Sequence, residues 1–250
     1  MGNAIRWLKV KISEVDPDTV ETTAKINICN GIDNFITERI TVADQVIATS
    51  TAERIRNGDT VLTYGRSSAV QLSLKEALRQ GKSFRVIVVD SRPLFEGKAL
   101  ASNLADSGLE VQYSLLHGVS HLIKDVTKVL LGAQAMTSNG RLHSRAGTAL
   151  VAMIAKEASV PVIVCCESVK FSERVALDSI VMNEIAPPEE LILQRGSPTH
   201  LSKWEDIPNL QLLNLMYDLT PAEYIDMVIT EYGSLSPSSV PVVYALSIAS

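Results

Sequence analysis

The pattern of hydrophobic and polar positions changes near residue 57. From Ala4 to Arg56 the apolar residues keep roughly helical spacing, and the turn-forming residues Asp16-Pro17-Asp18 interrupt them once. This pattern predicts two helices, of which the second is long. Asn57-Gly58-Asp59 has the composition of a turn and ends the segment. We therefore interpret residues 1–57 as a helical unit and residues 58–250 as a second domain.

In residues 58–250, short apolar runs alternate with amphipathic stretches, which is typical of repeated βαβ units and a parallel sheet. The predicted strands are Val61–Tyr64, Arg85–Asp90, Glu110–Leu115, Lys128–Leu131, Val162–Cys166 and a sixth near Leu213–Tyr217. The predicted helices are Ala69–Arg79, Ala99–Ser107, Ser120–Val126, Thr148–Ala158 and, after the capping pair Thr220-Pro221, Ala222–Glu231. The fold class is therefore α/β, with a parallel Rossmann-like sheet flanked by helices. Right-handed crossovers place all strand C-termini on one edge, where a pocket is expected.

Composition and charge narrow the possible partners. Hydrophobic residues make up 46% and charged residues 20% of the chain, as in an ordinary globular protein. The net charge of −5 gives no broad attraction for nucleic acid or anionic lipid, and no apolar stretch is long enough to span a membrane. Cys165 and Cys166 are adjacent in an apolar run, so we interpret them as reduced core residues on opposite faces of a strand. We expect a cytoplasmic protein.

Common cofactor motifs are missing from the sequence. It contains neither a Gly-x-Gly-x-x-Gly fingerprint nor a Walker loop, so we expect no nucleotide cofactor. His117 and His121 are four residues apart, a spacing that suits metal ligands on one helix face, but no third ligand lies near them in sequence. We therefore interpret the histidines as a structural pair and predict no metal site.

Polar residues follow several of the predicted strands and define a candidate pocket. Its members are Tyr64 and Arg66 after the first strand, Asp90 and Arg92 after the second, and Gln134, Asn139, Gly140 and Arg145 after the fourth. The three arginines and the N-termini of the following helices are suited to bind an anion together. The alternative is that each arginine braces a loop or a subunit contact, and the residues alone leave both interpretations open.

Three segments of the sequence carry a resemblance to a known family. They are Val88–Pro93 with Gly97, the turn Ser138-Asn139-Gly140 with Gly147-Thr148, and Tyr217–Ile225. They resemble the family that joins the alpha, beta and delta regulatory subunits of eukaryotic translation initiation factor 2B to methylthioribose-1-phosphate and ribose-1,5-bisphosphate isomerases. The loop Thr63–Ser68 and the segment Ser238–Val242 are most similar to the delta branch. The resemblance implies the fold of sugar-phosphate isomerases and CoA transferases. It also implies that residues 1–57 are the C-terminal part of the family's helical N-terminal domain, most of which precedes residue 1.

The resemblance also implies that the chain is not an enzyme. In the related isomerases a cysteine follows the first strand and an aspartate follows the Gly-Ala of the fourth, and the two act as an acid/base pair. In this sequence Gly65 and Gln134 stand at those positions. Glycine has no side chain and an amide does not titrate near neutral pH, so neither residue can transfer the proton. We expect no catalytic residue, and we interpret the eight pocket residues as a vestigial ligand pocket.

The function implied by the resemblance is regulatory. The chain would be a non-catalytic subunit of the guanine-nucleotide exchange factor for translation initiation factor 2, acting as scaffold and as sensor of the phosphorylated alpha subunit of that substrate. Its partners would be the beta subunit, through a dimer of α/β domains, and the alpha, gamma and epsilon subunits, with a homodimer when it is alone. The aliphatic segments Leu210–Leu215 and Val240–Ile248 are expected to contribute to the interface. The alternatives are a sugar-phosphate isomerase or a metabolite sensor that uses the same pocket.

Overall fold

A seven-stranded sheet forms the centre of the protein in a computed structural model that describes residues 2–181, 183–192, 201 and 203–249. Side chains of the last helix are described up to residue 244. In chain order the strands are β1 Thr60–Tyr64, β2 Arg85–Asp90, β3 Glu110–Leu115, β4 Lys128–Gly132, β5 Ala135–Thr137, β6 Leu142–Arg145, β7 Val162–Cys165, β8 Phe171–Ser172, β9 Tyr217–Thr220, β10 Met227–Thr230 and β11 Gly233–Leu235. The main sheet has the order β11-β10-β7-β4-β1-β2-β3, and all its neighbours pair in parallel except β11 with β10. The predicted parallel α/β sheet is confirmed.

Helices cover both faces of this sheet. In chain order they are α1 Gly2–Ser13, α2 Glu21–Ile36, α3 Ala43–Glu53, α4 Ser68–Arg79, α5 Gly97–Ala105, α6 Val119–Leu122, α7 Thr148–Glu157, α8 Glu189–Ile192 and α9 Val240–Ala249. Short 3-10 turns occupy Leu116–Gly118, Ile123–Asp125, Ser168–Lys170, Trp204–Asp206, Ala222–Tyr224 and Pro237–Ser239. A π-helical turn, Thr37–Val42, joins α2 to α3 without a break. The two predicted N-terminal helices, the second of them long, are therefore confirmed. No helix within the described ranges is long and apolar enough to cross a membrane.

The hydrophobic core lies in two layers, one on each face of the sheet. Successive residues of β1 alternate between them, with Val61 in one layer and Leu62 in the other. Cys165 and Cys166 are likewise fully buried in opposite layers, as the sequence predicted. Burial of a large aliphatic side chain contributes about 1.5–3 kcal/mol, so these layers account for most of the stabilisation of the sheet. Helix α3 contributes Ile47 to one of them, and the division of the chain at residues 57 and 58 stays a prediction.

A smaller sheet stands beside the C-terminal edge of the large one. Its order is β8-β5-β6-β9, with β5 and β6 forming an antiparallel hairpin and β9 pairing with β6. The predicted strand at Leu213–Tyr217 is wrong in its position, because the strand begins at Tyr217 and belongs to this second sheet.

The predicted helix Ala222–Glu231 is also wrong. Its first residues form the 3-10 turn, and its second half is the buried strand β10, which pairs with β7. Val228 and Ile229 are completely buried there, in opposite core layers. β-Branched residues suit such a strand, and burial on both faces removes the period-two pattern by which a strand would have been recognised.

Candidate functional site

A cavity of about 240 Å³ opens at the C-terminal edge of the main sheet. It lies beside β1 and β4, where the strand order reverses, because β2 and β3 continue on one side of β1 and β4 returns to the other. This reversal is the usual ligand position in an open α/β sheet. The lining residues are Tyr64, Arg66, Ser67, Ser68, Glu96, Gly132, Ala133, Gln134, Ser144, Arg145, Lys170 and Tyr217.

A second, much smaller cavity of about 30 Å³ adjoins the first. Tyr64, Glu96 and Arg145 line both cavities and form the wall between them. Gly65, Asp90 and Arg92 line only the small one. The structure thus distributes the residues predicted for one pocket over two cavities, of which only the larger has room for a ligand.

Arg145, the last residue of β6, is held by a carboxylate. Its Nε and Nη2 atoms donate to the two carboxylate oxygens of Glu96 at 2.7 and 3.0 Å. Its guanidinium carbon lies 5.3 Å from the centre of the Tyr217 ring, a cation–π arrangement. The hydrogen bonds to Glu96 raise the pKa of Arg145 above its usual value. The remaining nitrogen, Nη1, is buried and has no acceptor among the described residues.

Tyr64, at the end of β1, is a fixed part of the cavity wall. Its hydroxyl donates to the backbone carbonyl of Ala146 at 2.5 Å and lies 2.7 Å from the hydroxyl of Ser91. Burial raises the pKa of Tyr64 to about 12, so the phenol stays protonated at neutral pH. Gly147 has a left-handed φ of 107°, and a Cβ there would collide with the Tyr64 hydroxyl. Glycine at position 147 is therefore required both by the backbone and by the tyrosine.

Asp90 supports the loop that follows β2 rather than facing a ligand. Only 3% of its surface is exposed, and its carboxylate accepts hydrogen bonds from the Ser91 amide at 2.9 Å and the Tyr113 hydroxyl at 3.0 Å. At Gly97 a Cβ would lie 2.8 Å from the Asp90 Cγ, so the start of α5 can approach the carboxylate only with glycine. Arg92 is exposed on this loop.

Asn139 and Gly140 line neither of the two cavities. They form the turn between β5 and β6, and strand β5 carries this turn away from the sheet edge. The Asn139 side chain donates to the Ala176 carbonyl at 2.9 Å and accepts from the Thr137 hydroxyl at 2.6 Å. Gly140 packs against the backbone of Pro237. Both residues therefore hold the hairpin in place.

Sequence reasoning missed three charged groups at the site. The first is Glu96, although it stands between the arginine-proline pair and Gly97 of a segment that carries the family resemblance. The second is Lys170, which comes from the 3-10 turn after β7 and forms an ion pair with buried Glu167 at 2.7 Å.

The third group is Asp218, behind the cavity, which caps helix α7 by accepting from the amides of Gly147 and Ala149 at 2.7 and 3.0 Å. Burial raises the pKa of Asp218 to about 6. The sequence offered an indirect indication of this role. The residue before α7 is Gly147, which cannot cap the helix with a side chain, so a cap from elsewhere in the chain is expected.

The larger cavity can bind a ligand but has no evident acid/base pair. Gln134, at its exposed mouth, offers an amide, and Gly65 in the neighbouring cavity offers no side chain. The lining contains no cysteine, histidine or aspartate, and Glu96 already binds Arg145. His117 and His121 belong to no group of three metal-ligating side chains within the described residues.

The molecule has a second surface of interest, here called the apolar face. It consists of six aliphatic side chains that are each 62–84% exposed: Val175, Leu177, Ile180, Val181, Ile185 and Leu213. Hydrogen bonds attach their segment to the second sheet, from Ser138 to the Arg174 carbonyl and from Arg141 to the Leu177 carbonyl. Ile185 pairs with Leu215 in an isolated bridge, which brings Leu213 into the same region.

The interface predicted from Leu210–Leu215 and Val240–Ile248 is exposed only in part. Leu213 belongs to the apolar face, whereas Val240 and Tyr244 of α9 are buried in the core. Val242 is 62% exposed, and the side chains from residue 245 onward lie outside the described part of the chain. The buried side of helix α9 therefore contributes to the core, and the helix contacts β5 and β8 of the smaller sheet.

Comparisons with known proteins agree with the family resemblance. The model of the initiation factor 2 subunit family matches residues 1–237. The delta subunit of translation initiation factor eIF2B from Schizosaccharomyces pombe is 45% identical over 97% of this chain and 53% of its own length. For the delta subunit from Dictyostelium discoideum the identity is 48%, over 97% of this chain and 40% of the relative. The chain thus spans about half the length, or less, of these relatives.

Two further matches extend the comparison. Ribose 1,5-bisphosphate isomerase from Pyrococcus furiosus is 34% identical over 95% of this chain and 71% of the relative. A crystal structure of the tetrameric eIF2B-beta2-delta2 complex from C. thermophilum matches with a TM-score of 0.79 and 41% identity, covering 92% of this chain and 69% of that one. With the family model matching nearly its whole length, the chain belongs to the initiation factor 2 subunit family.

Proposed function

We propose that the chain is part of a non-catalytic regulatory subunit of the guanine-nucleotide exchange factor for translation initiation factor 2. The observation that carries the proposal is the 45–48% identity to eIF2B delta subunits over 97% of the chain. Identity of this extent is considerably higher than the 34% to the ribose 1,5-bisphosphate isomerase. The role is that of a scaffold and a sensor of the phosphorylated alpha subunit of initiation factor 2, in the cytoplasm.

The composition of the cavity supports a role without catalysis. Aldose–ketose isomerisation needs a group that removes a proton and one that returns it, each within hydrogen-bond reach of the substrate. Gly65 and Gln134 supply neither group, and the pKa of Tyr64, about 12, keeps its proton in place at neutral pH. Isomerisation by such a proton transfer is therefore not expected in this cavity.

The apolar face supports a role in assembly. Six exposed aliphatic side chains, five of them between residues 175 and 185, favour a protein partner, because covering them removes apolar surface from solvent. The similar crystal structure from C. thermophilum is a tetramer of two beta and two delta subunits. We therefore propose that the apolar face contacts the beta subunit, or a second copy of the chain when beta is absent, and that the alpha, gamma and epsilon subunits complete the full complex.

The decisive experiment is a binding assay with the complete subunit that contains this chain. It is captured with the beta subunit and presented with initiation factor 2 whose alpha subunit is phosphorylated or unphosphorylated. We expect stable association with beta and a difference in affinity between the two forms of the substrate factor. Failure to bind beta would contradict the scaffold role, and equal affinity for both forms would contradict the sensor role.

The second candidate is a sugar-phosphate isomerase, which the 34% identity to the ribose 1,5-bisphosphate isomerase favours. It requires proton-transfer groups other than Gly65 and Gln134. The purified subunit is incubated with ribose 1,5-bisphosphate, and the ketose product is measured against an Arg92→Ala variant. We expect no product from either protein. Turnover that the substitution abolishes would replace the regulatory proposal with the enzymatic one.

A further inference from the structure

The larger cavity has the lining of an anion site. Arg66, Arg145 and Lys170 all contribute to it. Ser67 and Ser68 place the first turn of α4, a helix of 12 residues, at the same wall. Guanidinium groups and helix N-termini are the usual ligands of phosphate and carboxylate groups. A cavity of about 240 Å³ has room for a small phosphate monoester.

An anion is already bound at this site, and it belongs to the chain itself. The Glu96 carboxylate engages Arg145 through two parallel hydrogen bonds of 2.7 and 3.0 Å, the geometry in which arginine binds carboxylates and phosphates. About a third of each side chain is exposed, 28% for Arg145 and 37% for Glu96, so the pair stands in the cavity wall and not in the core. The edge of the guanidinium formed by Nε and Nη2 is therefore occupied, and Nη1 is the buried nitrogen without an acceptor among the described residues.

The neighbouring structure keeps Glu96 in this position. Glu96 directly precedes α5, and the first residue of that helix, Gly97, is pressed against the buried Asp90 side chain. Asp90 in turn binds the Ser91 amide at 2.9 Å. Both ends of the loop that carries Glu96 are thus fixed. This fixed backbone holds the Glu96 carboxylate within hydrogen-bond distance of Arg145.

Lys170 is compensated in the same way. Its Nζ atom lies 2.7 Å from the carboxylate of Glu167, which is only 3% exposed. Two of the three cationic side chains in the lining therefore have a carboxylate partner within the chain. A phosphate entering the cavity would have to displace Glu96 and leave its charge without a partner beside a second anion.

We propose that Glu96 is a built-in occupant of the anion site and that it keeps phosphate monoesters and other small anions out of the cavity. The wild-type chain consequently does not respond to such metabolites, although the cavity retains the groups to bind them. A neutral residue at position 96 would leave the Arg145 guanidinium free to bind an anion. This inference concerns the cavity alone and stands whether or not the chain assembles as proposed.

The test is a titration of the complete subunit with inorganic phosphate, followed by isothermal calorimetry. Glu96→Gln keeps the size of the side chain and removes its charge. We expect Glu96→Gln to bind phosphate about tenfold more tightly than the wild type, or better, because the displaced carboxylate no longer competes. The double variant Glu96→Gln with Arg145→Met should lose this gain, since Arg145 is the group set free.

The matched control is Glu173→Gln, which removes the carboxylate of another arginine pair, Arg6 with Glu173, outside the larger cavity. It should leave phosphate affinity at the wild-type level. Glu96→Ala replaces Glu96→Gln if the amide disturbs folding, which a circular dichroism melt will reveal. An unchanged affinity in a folded Glu96 variant overturns the proposal, as does a gain that persists without Arg145 or that appears equally in Glu173→Gln.

Discussion

The cavity at the sheet edge and the apolar face differ in how far the chain satisfies its own exposed groups. In the cavity, the charges of Arg145 and Lys170 are each met by a carboxylate of the same chain. On the apolar face, six aliphatic side chains are 62–84% exposed, and nothing in the described residues covers them. The site that resembles an enzyme pocket therefore pairs two of its three cationic side chains within the chain, whereas the apolar face leaves aliphatic surface exposed to water.

The energies involved point the same way. A partly exposed ion pair such as Arg145 with Glu96 contributes about 0–1 kcal/mol to stability. Burial of one exposed aliphatic side chain contributes about 1.5–3 kcal/mol, and the face offers six. Association costs entropy, but burial of the apolar face still offers a larger gain in free energy than the ion pair in the cavity. A function by assembly follows more directly from this molecule than a function by ligand binding.

The largest effect is expected from charges placed on the apolar face. The double substitution Leu177→Asp with Ile180→Asp should weaken association with the beta subunit about a hundredfold or more, because two carboxylates would have to be desolvated at the interface. Analytical ultracentrifugation measures the dissociation constant. Val20→Asp, at a residue that is 68% exposed ahead of α2, is the control and should have no effect. Unchanged association in the double variant would show that the apolar face is not part of the interface with the beta subunit.

The next effect tests whether the cavity wall is structural. Tyr64→Phe removes the hydroxyl that binds the Ala146 carbonyl and Ser91. We expect the free energy of unfolding to fall by about 0.5–1.5 kcal/mol, since the partly buried Ala146 carbonyl loses its donor. Urea denaturation measures it. Tyr232→Phe, whose hydroxyl binds exposed Arg39, is the matched control and should change stability by less than about 0.5 kcal/mol. Equal losses in the two variants would contradict the structural role of Tyr64.

A smaller effect depends on pH. Burial and the nearby Glu167 carboxylate raise the pKa of Asp44 to about 6, above its value in the unfolded chain. Its contribution to stability is therefore complete below about pH 4 and is lost as pH rises through about 6. Asp44→Asn should raise the melting temperature above pH 7 by about 2–4 °C and leave it unchanged near pH 4. Asp33→Asn, at an exposed position of α2, is the control, and a gain from Asp44→Asn that is equal at both pH values would refute the assignment.

The smallest effect is the contribution of the Glu96–Arg145 ion pair to the stability of the protein. Glu96→Gln should lower the free energy of unfolding by only about 1 kcal/mol or less, because the ion pair is partly solvated. Chemical denaturation measures the change, with Glu173→Gln as the exposed counterpart. A loss of several kcal/mol would mean that Glu96 is a structural residue of the core, and the contrast between the two regions would then disappear.

Local patterns in the sequence predicted most of the fold. The first five predicted strands, which are β1, β2, β3, β4 and β7, were placed to within one residue at either end, because most of them are short apolar runs bounded by turn residues. The prediction missed the short strands β5, β6, β8 and β11, and it failed between Leu213 and Glu231. There a 3-10 turn follows Pro221, and β10 is buried on both faces, so neither segment has the periodicity by which a strand or helix is recognised.

For the candidate site, the sequence predicted the edge of the sheet but not the grouping of the residues. Tyr64, Arg66, Gln134 and Arg145 meet at the larger cavity, whereas Asn139 and Gly140 belong to a hairpin turn elsewhere. The sequence shows which residues follow a strand, but it does not show in which direction the chain turns after the strand. Residues that follow the same strand can therefore lie at the cavity or away from it.

The sequence by itself determined the parallel α/β fold, the family and the residue types at the ends of the strands, since these depend on periodicity and on local motifs. Only the tertiary structure decided which charges meet. Glu96 and Arg145 are 49 residues apart in the chain, and their contact depends on how β2, β6 and α5 pack. It also decided that six aliphatic side chains are left exposed, because burial is a property of the folded surface and not of a residue.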